Sequence, residues 1–227
     1  EGAPIVQQAQ AILEQVDSLK QMANQHSDPL DGVLKLGAIF TIGPYVLPSL
    51  IPELQKLAPK MPLHLDEDYT HNLREKLRTG ELDAIIVALP FNEPDVLTKP
   101  LYDEAFEVLL PKGHDWLKHK TISPELLPDS DLLLLGEGHC FRDQVLEACP
   151  KCRAQSLKPQ SDWITGSSIE TIRQMVASGL GISVIPQSAA TYHNQKLSIV
   201  TRPFTDPVPT RKVALAYRRS FPRKEAL

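Results

Sequence analysis

Two thiols nine residues apart, Cys140 and Cys149, are the side chains in this sequence best suited to redox chemistry. They lie in Gly136-Glu137-Gly138-His139-Cys140-Phe141-Arg142-Asp143-Gln144-Val145-Leu146-Glu147-Ala148-Cys149. A cysteine reacts as its thiolate, and nearby positive charge or a helix N-terminus favours that form over an ordinary thiol of pKa about 8.5. Cys140 meets both conditions. Arg142 follows two residues on, and His139 precedes it as a hydrogen-bond donor or proton acceptor. A buried structural thiol is the plainer reading of Cys140, but two glycines, a histidine and an arginine form a polar setting.

Asp131-Leu132-Leu133-Leu134-Leu135 reads as a buried strand, and the glycines after it mark a loop. Phe141 to Ala148 has good helix formers and no breaker, so the pattern predicts a short helix there. Cys140 then stands at its N-terminus and Cys149 at its C-terminal end. Nine helical steps rise about 13 Å. A disulfide needs Cα atoms within about 7 Å. The two thiols cannot bond while that helix is intact, so pairing them requires a change of conformation.

A third thiol completes Cys149-Pro150-Lys151-Cys152. A thioredoxin-type pair should follow a strand and open a helix, whereas this one is expected to end a helix. With His139 and Cys140 it offers zinc a Cys3His set. Adjacent ligands strain such a site, and there is no second Cys pair. No metal and no cofactor are expected. The remaining histidines (26, 64, 71, 114, 119 and 193) show no metal spacing. There is no Walker loop, dinucleotide fingerprint or Gly-x-Ser-x-Gly elbow. An enzyme using Cys140 as nucleophile needs a base, and only His139 is close in sequence.

The chain of 227 residues suits one or two α/β lobes, and 42% hydrophobic with 23% charged residues is ordinary globular composition. A net charge of −4 leaves no footprint for nucleic acid. No apolar run approaches the ~20 residues of a membrane span, and no secretory signal is visible. Three cysteines are too few for a secreted framework, so a reducing, cytoplasmic setting is expected. Glu1 at the start suggests a fragment of a longer chain.

The first residues carry a heptad pattern: Ile5, Ile12 and Leu19 on one position, Ala9, Val16 and Ala23 on the other. A coiled-coil linker helix over 1–27 is expected, with packing on its own domain as the alternative. The body begins near Gly32 with a strand over Val33–Phe40. The loop Thr41-Ile42-Gly43-Pro44 opens a helix bearing Tyr45, Val46, Leu47, Leu50, Ile51, Leu54 and Leu57. An exposed strand over Leu63–Glu67, a helix from a Thr70 cap to Arg78, and a buried strand over Leu82–Ala88 follow. This β-α-β-α-β run implies a parallel sheet with right-handed crossovers.

A second lobe contains the strand Phe106–Leu110, the Cys segment, a capping box at Ser167-Ser168-Ile169-Glu170, and a helix with Ile169, Ile172, Met175 and Val176. The strand Ile182–Pro186 comes next, and a strand over Lys212–Arg218 is placed to return to the first lobe. Residues 158–162 are polar and irregular. Two α/β lobes joined by crossing strands are expected to bind ligands beyond strand ends, near helix N-termini. Thr41, Thr70, Cys140 and Ser168 stand at such places, the hydroxyls equally as simple helix caps. Arg218 ends the last strand, where a solvated surface charge is the ordinary reading.

Gly138-His139-Cys140-Phe141-Arg142-Asp143-Gln144 followed by Cys149 resembles the peroxide-sensing branch of the LysR-type transcriptional regulators. Thr41-Ile42-Gly43-Pro44-Tyr45, Thr70-His71, Ser168-Ile169-Glu170-Thr171-Ile172-Arg173, Gly181-Ile182 and Tyr217-Arg218 are similar to the wider family's effector domains. The resemblance covers essentially the whole chain. It implies a periplasmic-binding-protein-like effector domain of two Rossmann-like subdomains, preceded by the linker helix. Subdomain I would span 30–103 and 209–227, and subdomain II would span 104–208.

The same resemblance implies that Cys140 is the peroxidatic and Cys149 the resolving cysteine. Arg142 and His139 would assist, and Thr41, Thr70, Asp143, Ser168 and Arg218 would bind hydrogen peroxide. It implies a homodimer or homotetramer that switches antioxidant genes. It places DNA contact in an N-terminal winged helix-turn-helix domain outside this chain. Two alternatives stay open: exchange between Cys149 and Cys152, and an effector domain answering a small organic ligand.

Overall fold

The computed structural model describes residues 5, 12, 16, 28–156, 167–191 and 198–227. The chain divides into two compact units, Glu1–Leu101 with Ala214–Leu227, and Tyr102–Val213. Of the heptad residues, Ile5, Ile12 and Val16 are helical and exposed, at 72%, 52% and 39%. Ala9, Leu19 and Ala23 lie outside the described residues, as do residues 158–162.

In the first unit, β1 (Leu34–Ile39) is the central strand. It pairs in parallel with β2 (Leu63–Asp68) on one side and β3 (Ala84–Ala88) on the other. Its apolar run LKLGAI therefore has to be buried on nearly every residue, as a central parallel strand requires. At Gly37 a side chain has no room. A Cβ there would stand 2.7 Å from Leu82 Cδ1 and 2.8 Å from Leu73 Cδ2.

Helix α1 (Gly43–Leu57) takes Pro44 in its first turn, where the missing N–H costs nothing. Leu47 is buried and Leu50, Ile51 and Leu54 are partly buried, but Leu57 is 74% exposed and does not belong to the apolar face. The interior prolines, Pro48 and Pro52, both sit on the solvent side. Helix α2 (Thr70–Arg78) corrects a sequence expectation. Its N-cap is Tyr69, in extended backbone, and Thr70 is the first helical residue with no capping bond.

Strand β4 (Val96–Pro111) is longer than its sequence signal. It begins in the first unit and ends in the second, through Pro100 and the charged Asp103-Glu104 pair that hid its start. In the second unit it pairs antiparallel with β6 (Ile182–Pro186) and β7 (Ile199–Pro203). The short β5 (Leu132–Leu133) runs parallel to β6. Strand β8 (Thr210–Arg218) carries the chain back to the first unit. Entry to and exit from the second unit are neighbours, since the Phe106 amide donates to the Pro209 carbonyl at 2.9 Å.

Three further helices position the chemistry: α3 (Cys140–Ala148), α4 (Pro150–Ser156) and α5 (Ile169–Ala177). A short α6 (Gln187–Thr191) follows β6. The capping of α5 falls one residue later than the sequence box implied. Ser168 is the N-cap, and its Oγ accepts from the Thr171 amide at 3.1 Å. Glu170 instead lies 3.6 Å from Arg173.

Candidate functional site

The segment bearing Cys140 is built from a strand end, a glycine turn and a helix. After β5 the chain turns through Gly138, whose φ of 91° is a conformation that side chains resist. His139 follows as N-cap of α3, and Cys140 is the first helical residue. Cys140 is therefore next to unsatisfied amides and the positive end of the helix dipole, which favour its thiolate. It is half-buried and outside any disulfide.

His139 is buried, and its Nε2 lies 3.2 Å from the Ser167 carbonyl. Burial pushes its pKa down, and the bond to Ser167 only partly opposes that. The imidazole is thus neutral near pH 7, with Nε2–H donating to Ser167 and Nδ1 as the acceptor nitrogen. Arg142 donates from Nη1 to the Leu135 carbonyl at 2.9 Å, tying the first turn of α3 back to the segment after β5. Asp143 is exposed in that same turn.

The structure thus brings His139, Cys140, Arg142 and Asp143 together, and Ser167 links them to the start of α5, where Ser168 serves as cap. Thr41, Thr70 and Arg218 belong to the first unit. Thr41 is buried just past the end of β1. Thr70 Oγ1 is buried and has no hydrogen-bond partner among the described residues. Arg218 is partly buried rather than a solvated charge, because Nη1 donates to the carbonyls of Leu77 and Leu82 (2.7 Å to the latter).

Some of the site was invisible in the sequence. Phe141 is 2% exposed, its ring 4.9 Å from that of Phe106 and 5.1 Å from the Arg211 guanidinium. Arg211 pairs with Glu104 at 2.7 Å, both buried, and Glu104 Oε1 accepts from the Ser188 amide at 3.0 Å. These partners are far from Phe141 in sequence and carry no local signal. Gln144 Oε1 is buried with no partner among the described residues.

The far end of α3 carries a finding of its own. Cys149 is the C-cap, and its sulfur is bonded to that of Cys152, with Cα atoms 5.4 Å apart. Both are buried. As expected, this Cys-x-x-Cys ends a helix, and it also does something the sequence reading did not foresee. Pro150 opens α4, so the motif closes one helix and begins the next. Pro150 forbids continuation of α3 and suits a first turn, which is the signal that was missed. Among the described residues no group of three or more His, Cys, Asp and Glu could hold a metal ion. No helix described is long and apolar enough to cross a membrane.

Comparison with known proteins agrees with this fold. The LysR substrate binding domain matches residues 27–227. A probable hydrogen peroxide-inducible genes activator of Mycobacterium leprae is 37% identical over 223 residues, covering 98% of this chain and 71% of that protein. The reduced OxyR regulatory domain of Pseudomonas aeruginosa is similar at 58% identity and TM-score 0.79, covering 88% of this chain and 95% of that one. An H2O2-bound OxyR mutant of Corynebacterium glutamicum is similar at 32% identity and TM-score 0.80, covering 99% of this chain and 70% of that one. The chain belongs to the LysR family of transcriptional regulators, as a substrate-binding domain whose near relatives are OxyR-type peroxide-inducible gene activators.

Proposed function

We propose that this chain is the hydrogen-peroxide-sensing regulatory domain of a transcription factor, and that Cys140 is its sensing thiol. The observation that carries this reading is the place of Cys140. It is the first residue of α3, between a buried neutral His139 and an Arg142 anchored on Leu135. Relatives named as peroxide-inducible gene activators, and one solved with H2O2 bound, support it.

The Cys140 thiolate attacks one oxygen of the peroxide. The O–O bond breaks, hydroxide leaves, and Cys140 becomes a sulfenic acid. The amides of α3 and the Arg142 charge stabilise the thiolate and the departing hydroxide. A sulfenic acid is more polar than the thiol it replaces, next to the buried Phe141. Helix α3 then opens, reduced Cys149 attacks the sulfenic sulfur, and a Cys140–Cys149 disulfide forms as hydroxide departs. That bond offsets the lost helix by about 2–4 kcal/mol. The rebuilt segment alters contacts between protomers of a homodimer or homotetramer. Promoter choice passes through a DNA-binding domain outside this chain.

The test is near-stoichiometric hydrogen peroxide on fully reduced protein, with a sulfenic-acid trap and transcription of a reporter from the parent regulator. Labelled Cys140 and an induced reporter are expected, with both lost in Cys140→Ser. A Cys140→Ser protein that still induces normally would sink the scheme.

A further inference from the structure

We infer that Cys152 is a second resolving cysteine, which drains the Cys140–Cys149 disulfide and returns Cys140 to its thiol. This rests on the proposed role of Cys140. The structure holds Cys149 and Cys152 in a disulfide while α3 keeps its full span, Cys140–Ala148. A Cys140–Cys149 bond cannot coexist with that helix, because nine helical steps separate the Cα atoms by about 13 Å. The two linkages of Cys149 therefore belong to two different folds of one segment. The one seen here keeps Phe141, Val145 and Leu146 buried.

The chemistry balances with no further reagent. After the first disulfide forms, the Cys152 thiolate attacks the Cys149 sulfur. The Cys140–Cys149 bond breaks, the Cys149–Cys152 bond forms, and Cys140 leaves as a thiolate. The two electrons delivered to peroxide have then come from Cys149 and Cys152, and Cys140 is a thiol again. Direction comes from packing. The exchange lets α3 refold and returns its three apolar side chains to the core. Attack distance is not limiting, since Cys152 is only three residues from Cys149 in sequence and stays tethered to it whichever fold the segment adopts. A second peroxide then finds Cys140 with its resolving partner occupied, and the sulfenic acid persists.

The experiment is a time course on the fully reduced chain given one equivalent of hydrogen peroxide, quenched with a thiol alkylator and mapped by non-reducing peptide mass spectrometry. Cys140–Cys149 should appear first and decay into Cys149–Cys152 as Cys140 becomes alkylatable again. A second equivalent should give a trappable sulfenic acid at Cys140. In Cys152→Ser, and in Cys152→Ala as a second variant, the first disulfide should form at an unchanged rate and persist. A wild-type Cys140–Cys149 linkage that outlasts the time course without exchange overturns the inference and leaves the sensor reading standing. A Cys140 that never yields sulfenic acid, even in a Cys149→Ser/Cys152→Ser chain, overturns both.

Discussion

The Arg211 guanidinium lies 5.1 Å from the centre of the Phe141 ring while closing a buried ion pair with Glu104 at 2.7 Å. The residue beside Cys140 is thus clamped to β4 and β8, far from it in sequence. Phe141→Ala removes a ring that is 2% exposed. It should lower stability by about 3–5 kcal/mol. It should also speed formation of the Cys140–Cys149 disulfide, because the intact helix loses its anchor. Denaturant unfolding and a quenched peroxide time course measure the two effects. A slower disulfide would refute the anchoring role.

Glu104→Gln leaves Arg211 charged in a site where its side chain is fully buried. Removing one partner of a buried pair costs about 3–5 kcal/mol, because the remaining charge is uncompensated. The same substitution weakens the acceptor for the Ser188 amide at the start of α6. Amide hydrogen exchange should rise around 187–191 as the midpoint of unfolding falls.

His139 gives the domain a pH dependence of definite sign. Burial holds its pKa below the ordinary 6.5. Above pH 6.5 both folded and unfolded chains carry it neutral, and its full contribution is present. As pH falls below that value the unfolded chain binds the proton first, so stability is lost through the folded pKa. His139→Asn should flatten this part of the stability curve. Unfolding midpoints of both proteins between about pH 5 and 8 test it.

Arg142→Ala removes a positive charge from the first turn of α3 and frees the Leu135 carbonyl. The Cys140 thiol should then ionise at higher pH and react more slowly with peroxide, by roughly tenfold for each 1.4 kcal/mol of lost stabilisation. The pH profile of Cys140 alkylation in a Cys149→Ser/Cys152→Ser background measures this. An unmoved profile would remove Arg142 from thiolate stabilisation. Arg142→Lys should restore the charge but not the tie to Leu135, which separates the two roles.

The strands of the first unit were legible because central parallel strands must be continuous apolar runs, and Leu34–Ile39 and Ala84–Ala88 are such runs. Helix α3 was legible within one residue, since Gly138 and Pro150 bracket it. Three features were hidden. The early part of β4 carries Pro100 and charges that mimic a loop. Thr70 looks like a cap, but Tyr69 takes that place in extended backbone. The Arg211–Phe141 clamp joins residues that only the completed fold brings together. Local pattern reports local structure, and long-range partners leave no trace in it.

The second unit, Tyr102–Val213, is one continuous insertion in the sequence of the first, and its two ends are held close by the Phe106–Pro209 hydrogen bond inside it. Insertions of this kind are tolerated where the two ends of the inserted piece meet. Exchanging the inserted piece would leave both flanking pieces of the first unit, Glu1–Leu101 and Ala214–Leu227, unaltered in sequence.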